Sequence, residues 1–314
     1  GSVVHGDMNG VQITGLANLA GGTMRGVQLA GISNISGNNT VGLSAAGLVN
    51  ITGDRTQGVI ISGLTSIGGD NTSGLMISGF MNVTGNMASG LHFSGAANIT
   101  GQSFGGLMAS GLLNVVGEHM NGLQMAGIAN ITASKLNGVQ IALCNYATQA
   151  RGLQIGLVNY YKEDMKGFQL GLVNANPDTR VQMMVYGGNA TPANIGVRFK
   201  NQLFYTILGI GSMYQGLNDK FSASASYRAG LSFTLYKGLS ISGDLGYQHI
   251  EAFDNKDEVI PKRLYALQAR ANLEYQFTRK FGIFATGGYG LTRFYNKSSN
   301  YDKGAIIEAG IVLF

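Results

Sequence analysis

A glycine recurs every 16 residues through the first half of this chain, and that period constrains the fold more than any other feature. Units begin at Gly10, Gly26, Gly42, Gly58, Gly74, Gly90, Gly106, Gly122 and Gly138, and two shortened units follow at Gly152 and Gly167 after steps of 14 and 15. The consensus is G-[VL]-x-[IL]-x-G-[LIFA]-x-N-[IVL]-x-G followed by four variable residues, as in Gly42-Leu43-Ser44-Ala45-Ala46-Gly47-Leu48-Val49-Asn50-Ile51-Thr52-Gly53. With each unit numbered from its first glycine as offset 0, the apolar residues at offsets 1 and 3 fit one face of a strand, because successive side chains alternate. The next apolar residue stands at offset 6, so parity breaks near the second glycine. Gly15, Gly31, Gly47, Gly63, Gly79, Gly95, Gly111 and Gly127 hold that position and suit a corner or bulge. A second break falls between the asparagine and the aliphatic residue after it. Corners at fixed places in a fixed period imply coils that close on themselves and stack, which is a β-solenoid. Eleven coils at a strand spacing of ~4.8 Å make a rod on the order of 50 Å long.

The asparagine position is held by Asn18, Asn34, Asn50, Asn82, Asn98, Asn114 and Asn130, with Ser66 as the exception, and the shortened units keep Asn145, Asn159 and Asn174. A buried amide must be hydrogen-bonded. Stacked side-chain amides bond to one another and to turn backbone, so the row is expected to form a ladder. The N-x-S/T sequons at Asn82 and Asn98 follow from the repeat. The last units, from Gly138, Gly152 and Gly167, lack one residue before the corner, which predicts longer, flatter strands there. Cys144 is the chain's single cysteine and reads as a small packing residue; no intrachain disulfide is possible.

Composition narrows the classes. Glycine contributes 49 of 314 residues, but proline only 3, and there is no strict triplet, so collagen is excluded. A hydrophobic share of 45% with 12% charged residues opposes disorder. No apolar run is long enough for a transmembrane helix, and no leader segment is visible at the start. Residues 1–176 hold 6 Lys/Arg and 6 Asp/Glu, and the net charge of +5 lies in 177–314 without forming a basic stripe, which opposes nucleic-acid binding.

From about residue 180 the pattern becomes long alternating strands. In 221–236, Phe221, Ala223, Ala225, Tyr227, Ala229, Leu231, Phe233 and Leu235 share one face, against Ser222, Ser224, Ser226, Arg228, Gly230, Ser232 and Thr234. Eight strands are predicted, near 181–187, 194–200, 203–213, 221–236, 238–252, 263–277, 281–295 and 304–314. Lys237-Gly238 and Thr278-Arg279-Lys280 are tight connections, whereas 254–262 and 296–303 are long and polar. This domain resembles the small eight-stranded outer-membrane barrels, with short periplasmic turns, longer outer loops and alternating faces. Phe221, Phe253, Tyr265, Tyr295, Phe277 and Phe281 are placed as aromatic girdles; the absence of tryptophan departs from the usual girdle. The polar face then points inward, where Arg228, Asp244, Arg270, Glu274 and Glu308 are expected to meet as a structural charge network. Glu308 sets the register of the last strand, with Ile307, Ala309, Ile311 and Leu313 outward.

The repeat array resembles the glycine-rich G-[VL]-Q-[IL]-G-L-V-N surface-repeat proteins of bacteroidete and spirochaete envelopes, on segments such as Gly152-Leu153-Gln154-Ile155-Gly156-Leu157-Val158-Asn159. That resemblance implies export and an envelope location, and no reaction. No catalytic motif appears. His92 and His119 occupy different offsets, and the glycine-rich strings are repeat corners with no helix behind them to hold a phosphate. The expected architecture is all-β, a solenoid over 1–176 and an antiparallel barrel over 177–314. The expected role is a non-enzymatic envelope protein without a cofactor, anchored by its barrel among outer-membrane lipids, with the rod making structural or adhesive contacts. An even-stranded barrel returns both termini to the periplasmic side, so the rod is periplasmic unless threaded outward. A soluble, secreted or periplasmic, carbohydrate- or protein-binding module and a narrow channel or transporter are the competing readings.

Overall fold

The computed structural model describes residues 1–212, 221–253, 263–295 and 300–314. It is all-β and forms two compact units, Gly1–Gly171 and Leu172–Phe314.

In the first unit each full coil has a longer and a shorter strand joined by two bends, for example Met24–Ala30 and Ser33–Ser36. Each strand pairs in parallel with its equivalent one coil away and in strict register, so that Gly74 lies beside Gly90 and Gly90 beside Gly106. The stacking explains the glycines. A Cβ on Gly106 would meet the Gly90 carbonyl oxygen at 2.2 Å, and its φ of +128° disfavours any L side chain. This positive φ lies within the longer strand, at the first glycine of the unit. The alternation runs unbroken through it, with Met24 and Gln28 inward and Arg25 outward.

The bend expected at the second glycine is present, as at Gly31-Ile32 and Gly47-Leu48. The break expected between the asparagine and the next aliphatic residue is absent. Ser33–Ser36 runs straight through it, with Asn34 and Ser36 inward and Ile35 outward. The second bend lies further on, at Gly37-Asn38 and its equivalents. The shortened coils do have longer strands, Ala129–Ile141, Cys144–Ile155 and Val158–Leu170. They keep the bend at Ala142-Leu143 and Gly156-Leu157, and it is the other bend that opens. There Gly117, whose Cβ would meet the Gly101 carbonyl oxygen at 1.8 Å, gives way to Ala133 in the next coil, and the chain continues extended with a register shift between Thr132 and Lys135.

The interior of the coils is lined at offsets 2, 4, 8, 10 and 14. Offset 14 carries Met8, Met24, Thr40, Thr56, Thr72, Ala88, Phe104, Met120 and Leu136, all buried. Offset 8 is the asparagine row and offset 2 a second polar row. The consensus aliphatic residues at offsets 1, 3, 6 and 9 face outward: Val11 is 69% exposed, Leu64 49% and Phe80 55%. The solenoid is therefore built with its amides inside and its aliphatic rows outside. Cys144 is exposed rather than packed, because it stacks beside Ala129 at offset 7, just past the bend and also outward.

The second unit is a closed antiparallel barrel of eight strands, Arg180–Gly188, Ala193–Asn201, Phe204–Ser212, Ser222–Tyr236, Leu239–Ala252, Arg263–Thr278, Phe281–Phe294 and Asn300–Leu313. Closure joins the first and last strands, with Met183 opposite Leu313. Gln202-Leu203, Lys237-Gly238 and Arg279-Lys280 turn the chain at one end, where the first strand begins and the last one ends. The segments 254–262 and 296–299, expected as long polar loops, lie outside the described residues. Ile307 is outward and Glu308 inward, the predicted register.

His92 replaces the methionine of its neighbours Met76 and Met108 in the offset 2 row and is 1% exposed, edge-on to Phe104 at 5.0 Å. Burial pushes its pKa down to about 4 from an ordinary 6.5. Below pH 6.5 the unfolded chain takes up a proton that the folded chain refuses, so stability falls as pH falls from 6.5 towards 4, by roughly 3 kcal/mol in all. His92→Met should remove that loss. In urea melts followed by circular dichroism, the stability advantage of the variant is expected to grow between pH 7 and pH 4.5; a pH-independent difference would contradict a buried neutral imidazole.

Candidate functional site

Two sets of side chains were expected to carry the molecule's polar chemistry, and each lies within one unit. In the solenoid the asparagine row is a directed ladder. Each Nδ2 donates to the Oδ1 of the next coil: Asn18 to Asn34 at 2.9 Å, Asn34 to Asn50 at 3.0 Å, Asn82 to Asn98 at 2.8 Å, Asn98 to Asn114 at 2.9 Å and Asn114 to Asn130 at 3.0 Å. The same Nδ2 groups donate to a backbone carbonyl just before the bend of the next coil, as from Asn98 to Ala109 at 2.8 Å. Ser66 interrupts the row, and hydroxyls close the gap. Asn50 donates to Ser62, Ser62 and Ser66 are 2.7 Å apart, and Ser78 donates to Ser66 at 2.9 Å and to Asn82 Oδ1 at 2.6 Å.

The second polar row was not foreseen. Gln28 donates to Gln12, Gln140 to Gln124, Gln154 to Gln140 and Gln169 to Gln154, each at 2.8 Å. Its signal was the glutamine that recurs at offset 2 near both ends of the array. Ser44, Ile60, Met76, His92 and Met108 at the same offset disguise the position as variable.

Inside the barrel, inward residues form three tiers across the lumen. In the middle tier Arg228 donates to both carboxylate oxygens of Asp244, Nε to Oδ1 and Nη2 to Oδ2, each at 2.8 Å. Tyr205 Oη and Asn272 Nδ2 also donate to Asp244, at 2.7 and 2.8 Å. Glu308 lies between Arg228 Nη1 at 3.6 Å and Arg270 Nε at 3.2 Å. Arg228, Asp244, Arg270 and Glu308 are thus brought together. Glu274 is not part of that set. It takes two hydrogen bonds from Arg198, one of them Nη2 to Oε1 at 2.9 Å, and Arg198 also donates to Gln182. Arg198 went unrecognised because its strand is short and its inward face begins Asn194, Gly196; its outward neighbours Ile195, Val197 and Phe199 carry the alternation that marks it. The third tier joins Gln268, Gln248, Ser224 and Thr191. These inward charges are 7% exposed or less. The tiers tie strands together across the lumen, which in so narrow a barrel side chains can span.

The outer wall has the opposite character. Ile210, Leu231, Leu245, Leu267, Leu273 and Ile307 are exposed on it. Aromatic clusters flank this band. Towards the end away from the tight turns lie the pair Phe221 and Phe253, 5.8 Å between centroids, and the group Tyr247, Tyr265 and Tyr295, with Tyr265 and Tyr295 at 5.2 Å. At the tight-turn end lie Tyr275, Phe277 and Phe281, with centroids 4.9 and 5.8 Å apart. Tyr265 and Tyr275 bound the band on one strand, a rise of about 25 Å at the tilt usual for membrane barrels. A shallow apolar groove of about 1000 Å³ interrupts the wall where Gly187, Ala193, Ala223 and Ala309 are small. Among the described residues, no group of three or more His, Cys, Asp and Glu side chains is arranged to hold a metal ion.

No family model and no curated protein matches the chain, so no match supports the glycine-rich repeat family. Among solved structures, the N-terminal β-barrel domain of OprF from Pseudomonas aeruginosa is similar at 14% identity, with a TM-score of 0.31, over 42% of this chain and 93% of that one. Neisserial surface protein A is similar at 8% identity, with a TM-score of 0.27, over 42% of this chain and 92% of that one.

Removing one member of a buried ion pair strands the other charge. Asp244→Asn should therefore lower barrel stability by about 3–5 kcal/mol, whereas Asp178→Asn at an exposed carboxylate should change it by no more than about 0.5 kcal/mol. Urea unfolding of the full chain in lipid vesicles, read by circular dichroism, compares the two; equal effects would mean that the middle tier does not hold the barrel.

Proposed function

We propose that this chain is a non-enzymatic outer-membrane protein whose barrel is a lipid anchor and whose repeat array makes structural or adhesive contacts in the cell envelope. The observation that carries this reading is the inversion of the barrel. Its wall exposes Leu245 at 71% and Ile307 at 68% between two aromatic clusters, while its charges are paired inside. In water that arrangement would leave the largest apolar surface of the unit bare and shelter its ions. In a bilayer it meets both demands, with apolar groups against acyl chains and aromatic rings at the interfaces.

The competing readings fare less well. A soluble binding module would have to keep this wall in water. A channel would need an open path, and the three tiers cross the lumen at Arg198–Glu274, Arg228–Asp244 and Gln248–Gln268. The first strand begins and the last one ends beside the tight turns, which are periplasmic in outer-membrane barrels, so the array belongs on the periplasmic side in this reading.

Fractionation of cells making the full chain tests the anchor. The protein is expected in the outer-membrane fraction, extracted by detergent and not by salt or alkali, with the repeat array protected from external protease. Leu245→Arg on the wall should cost about 2–4 kcal/mol in a bilayer and deplete the membrane-inserted form. Full-length protein that is soluble and monodisperse without detergent would overturn the reading.

A further inference from the structure

The charged residues of the solenoid are confined to one edge. Asp7, Arg25, Asp54, Arg55, Asp70, Glu118, Lys135, Arg151, Lys162, Glu163, Asp164 and Lys166 are the charged side chains of residues 1–171, and each lies at offsets 11–15, around the second bend, with the shortened coils aligned on their asparagine as offset 8. The rest of the outer surface has none. Offsets 1 and 3 on the longer strands, 6 on the first bend, and 7 and 9 on the shorter strands present Val, Leu, Ile, Phe, Met and Ala almost throughout. Ser33 and Thr65 are the exceptions among the full coils. This belt runs the length of the array, ~50 Å, and far exceeds the few hundred Å² of contiguous apolar surface usual on a soluble monomer.

Two further observations say what covers it. First, the backbone N–H at the middle of the belt is satisfied in coil after coil. Ile32 donates to Leu16, Leu48 to Ile32, Leu64 to Leu48, Phe80 to Leu64, Ala96 to Phe80, Leu112 to Ala96 and Ile128 to Leu112, at 2.8–3.0 Å. The crest is itself a hydrogen-bonded ladder, which is the condition for backbone to lie against hydrocarbon. Second, the belt is convex. Side chains of the two strand stacks meet inside, as where Ser44 donates to Asn50, so their outer faces point in opposite directions and the crest joins them. A second copy with the same convex crest covers one face at most. Fluid acyl chains wrap both faces and the crest. They also need no matching shape along rows that mix Phe80 with Ala96 and Phe93 with Ala109.

We infer that the solenoid is a lipid-binding element in its own right, its aliphatic belt seated in the acyl region of a membrane leaflet and its charged edge at the headgroups. The inference rests on the membrane reading of the barrel and adds that the array binds lipid instead of standing free of it. It follows the physics of amphipathic helices that lie in an interface, carried out with stacked strands.

Cys144 lies in the belt and is the chain's single thiol, so the unmutated protein offers a probe site there. The test places an environment-sensitive fluorophore on Cys144 in full-length protein reconstituted into phosphatidylcholine vesicles. Parallel labels go on Leu112→Cys at the crest, Gln102→Cys at the charged edge and Leu245→Cys on the barrel wall, each with Cys144→Ser. Labels at Cys144 and position 112 are expected to be quenched several-fold more by lipids brominated on their acyl chains than by aqueous iodide, and the label at position 102 the reverse. Crest labels quenched by iodide alone, with the barrel label quenched by brominated lipid, would overturn the inference and leave the anchor standing. Crest labels shielded from both would mean that a second copy or another protein covers the belt, which also overturns it. A barrel label unquenched by brominated lipid would remove the anchor as well.

Discussion

Buried amide hydrogen bonds that repeat once per coil are the interaction on which the solenoid depends. Two short strands and two bends enclose a narrow space, and the inward positions are filled by asparagine, glutamine, serine and threonine beside alanine, methionine and the larger Ile60, Phe104 and Leu136. The polar groups of such an interior are out of reach of water and must find partners along the stacking axis. The asparagines do so because nearly every coil presents an amide at the same height. Asn98 receives from Asn82, donates to Asn114 and also holds the Ala109 carbonyl ahead of the next bend. The ladder therefore sets the spacing of the coils and the position of the bend together. Where the residue changes, the partners change with it, as Ser62 and Ser78 do around Ser66. The glycine rows serve the same end, since a Cβ at Gly106 or Gly117 would strike the coil beneath.

The barrel solves a related problem with ions. Arg228, Asp244, Arg270 and Glu308 form one cluster and Arg198 with Glu274 another, so each buried charge faces its opposite. Desolvating these groups is costly, and the geometry offsets that cost through bidentate contacts and through Tyr205 and Asn272 on Asp244. Both units thus enclose polar rows and expose aliphatic ones.

Much of this was legible in the chain. The barrel strands were, because alternation over 222–236 or 263–278 is long enough to fix both face and register. The asparagine row was, because its residue hardly varies. The direction of the solenoid's faces was not: the offsets with the strictest aliphatic consensus point outward, and the offsets that vary most, such as Gln28, Met76 and Met108, are the core. A period shows which positions are equivalent and not which side they face. The opening of the second bend in the last coils hung on one substitution, Ala133 in the place of Gly117, and is visible only once the contact made by that glycine is known.

If the solenoid has its amides inside and its aliphatic rows outside, a reciprocal exchange within one coil must affect the two faces unequally. Leu112 and Asn114 are two residues apart, the first 49% exposed and the second fully buried between Asn98 and Asn130. The measurement is urea unfolding of Leu112→Asn and Asn114→Leu in the full chain in detergent, followed by circular dichroism. Asn114→Leu is expected to cost several kcal/mol, since it breaks two rungs and strands the carbonyl of Met125 at about 1–3 kcal/mol for each orphaned group. Leu112→Asn should cost no more than about 1 kcal/mol. If Leu112→Asn proves the more damaging of the two, the aliphatic rows are the core and the account is wrong.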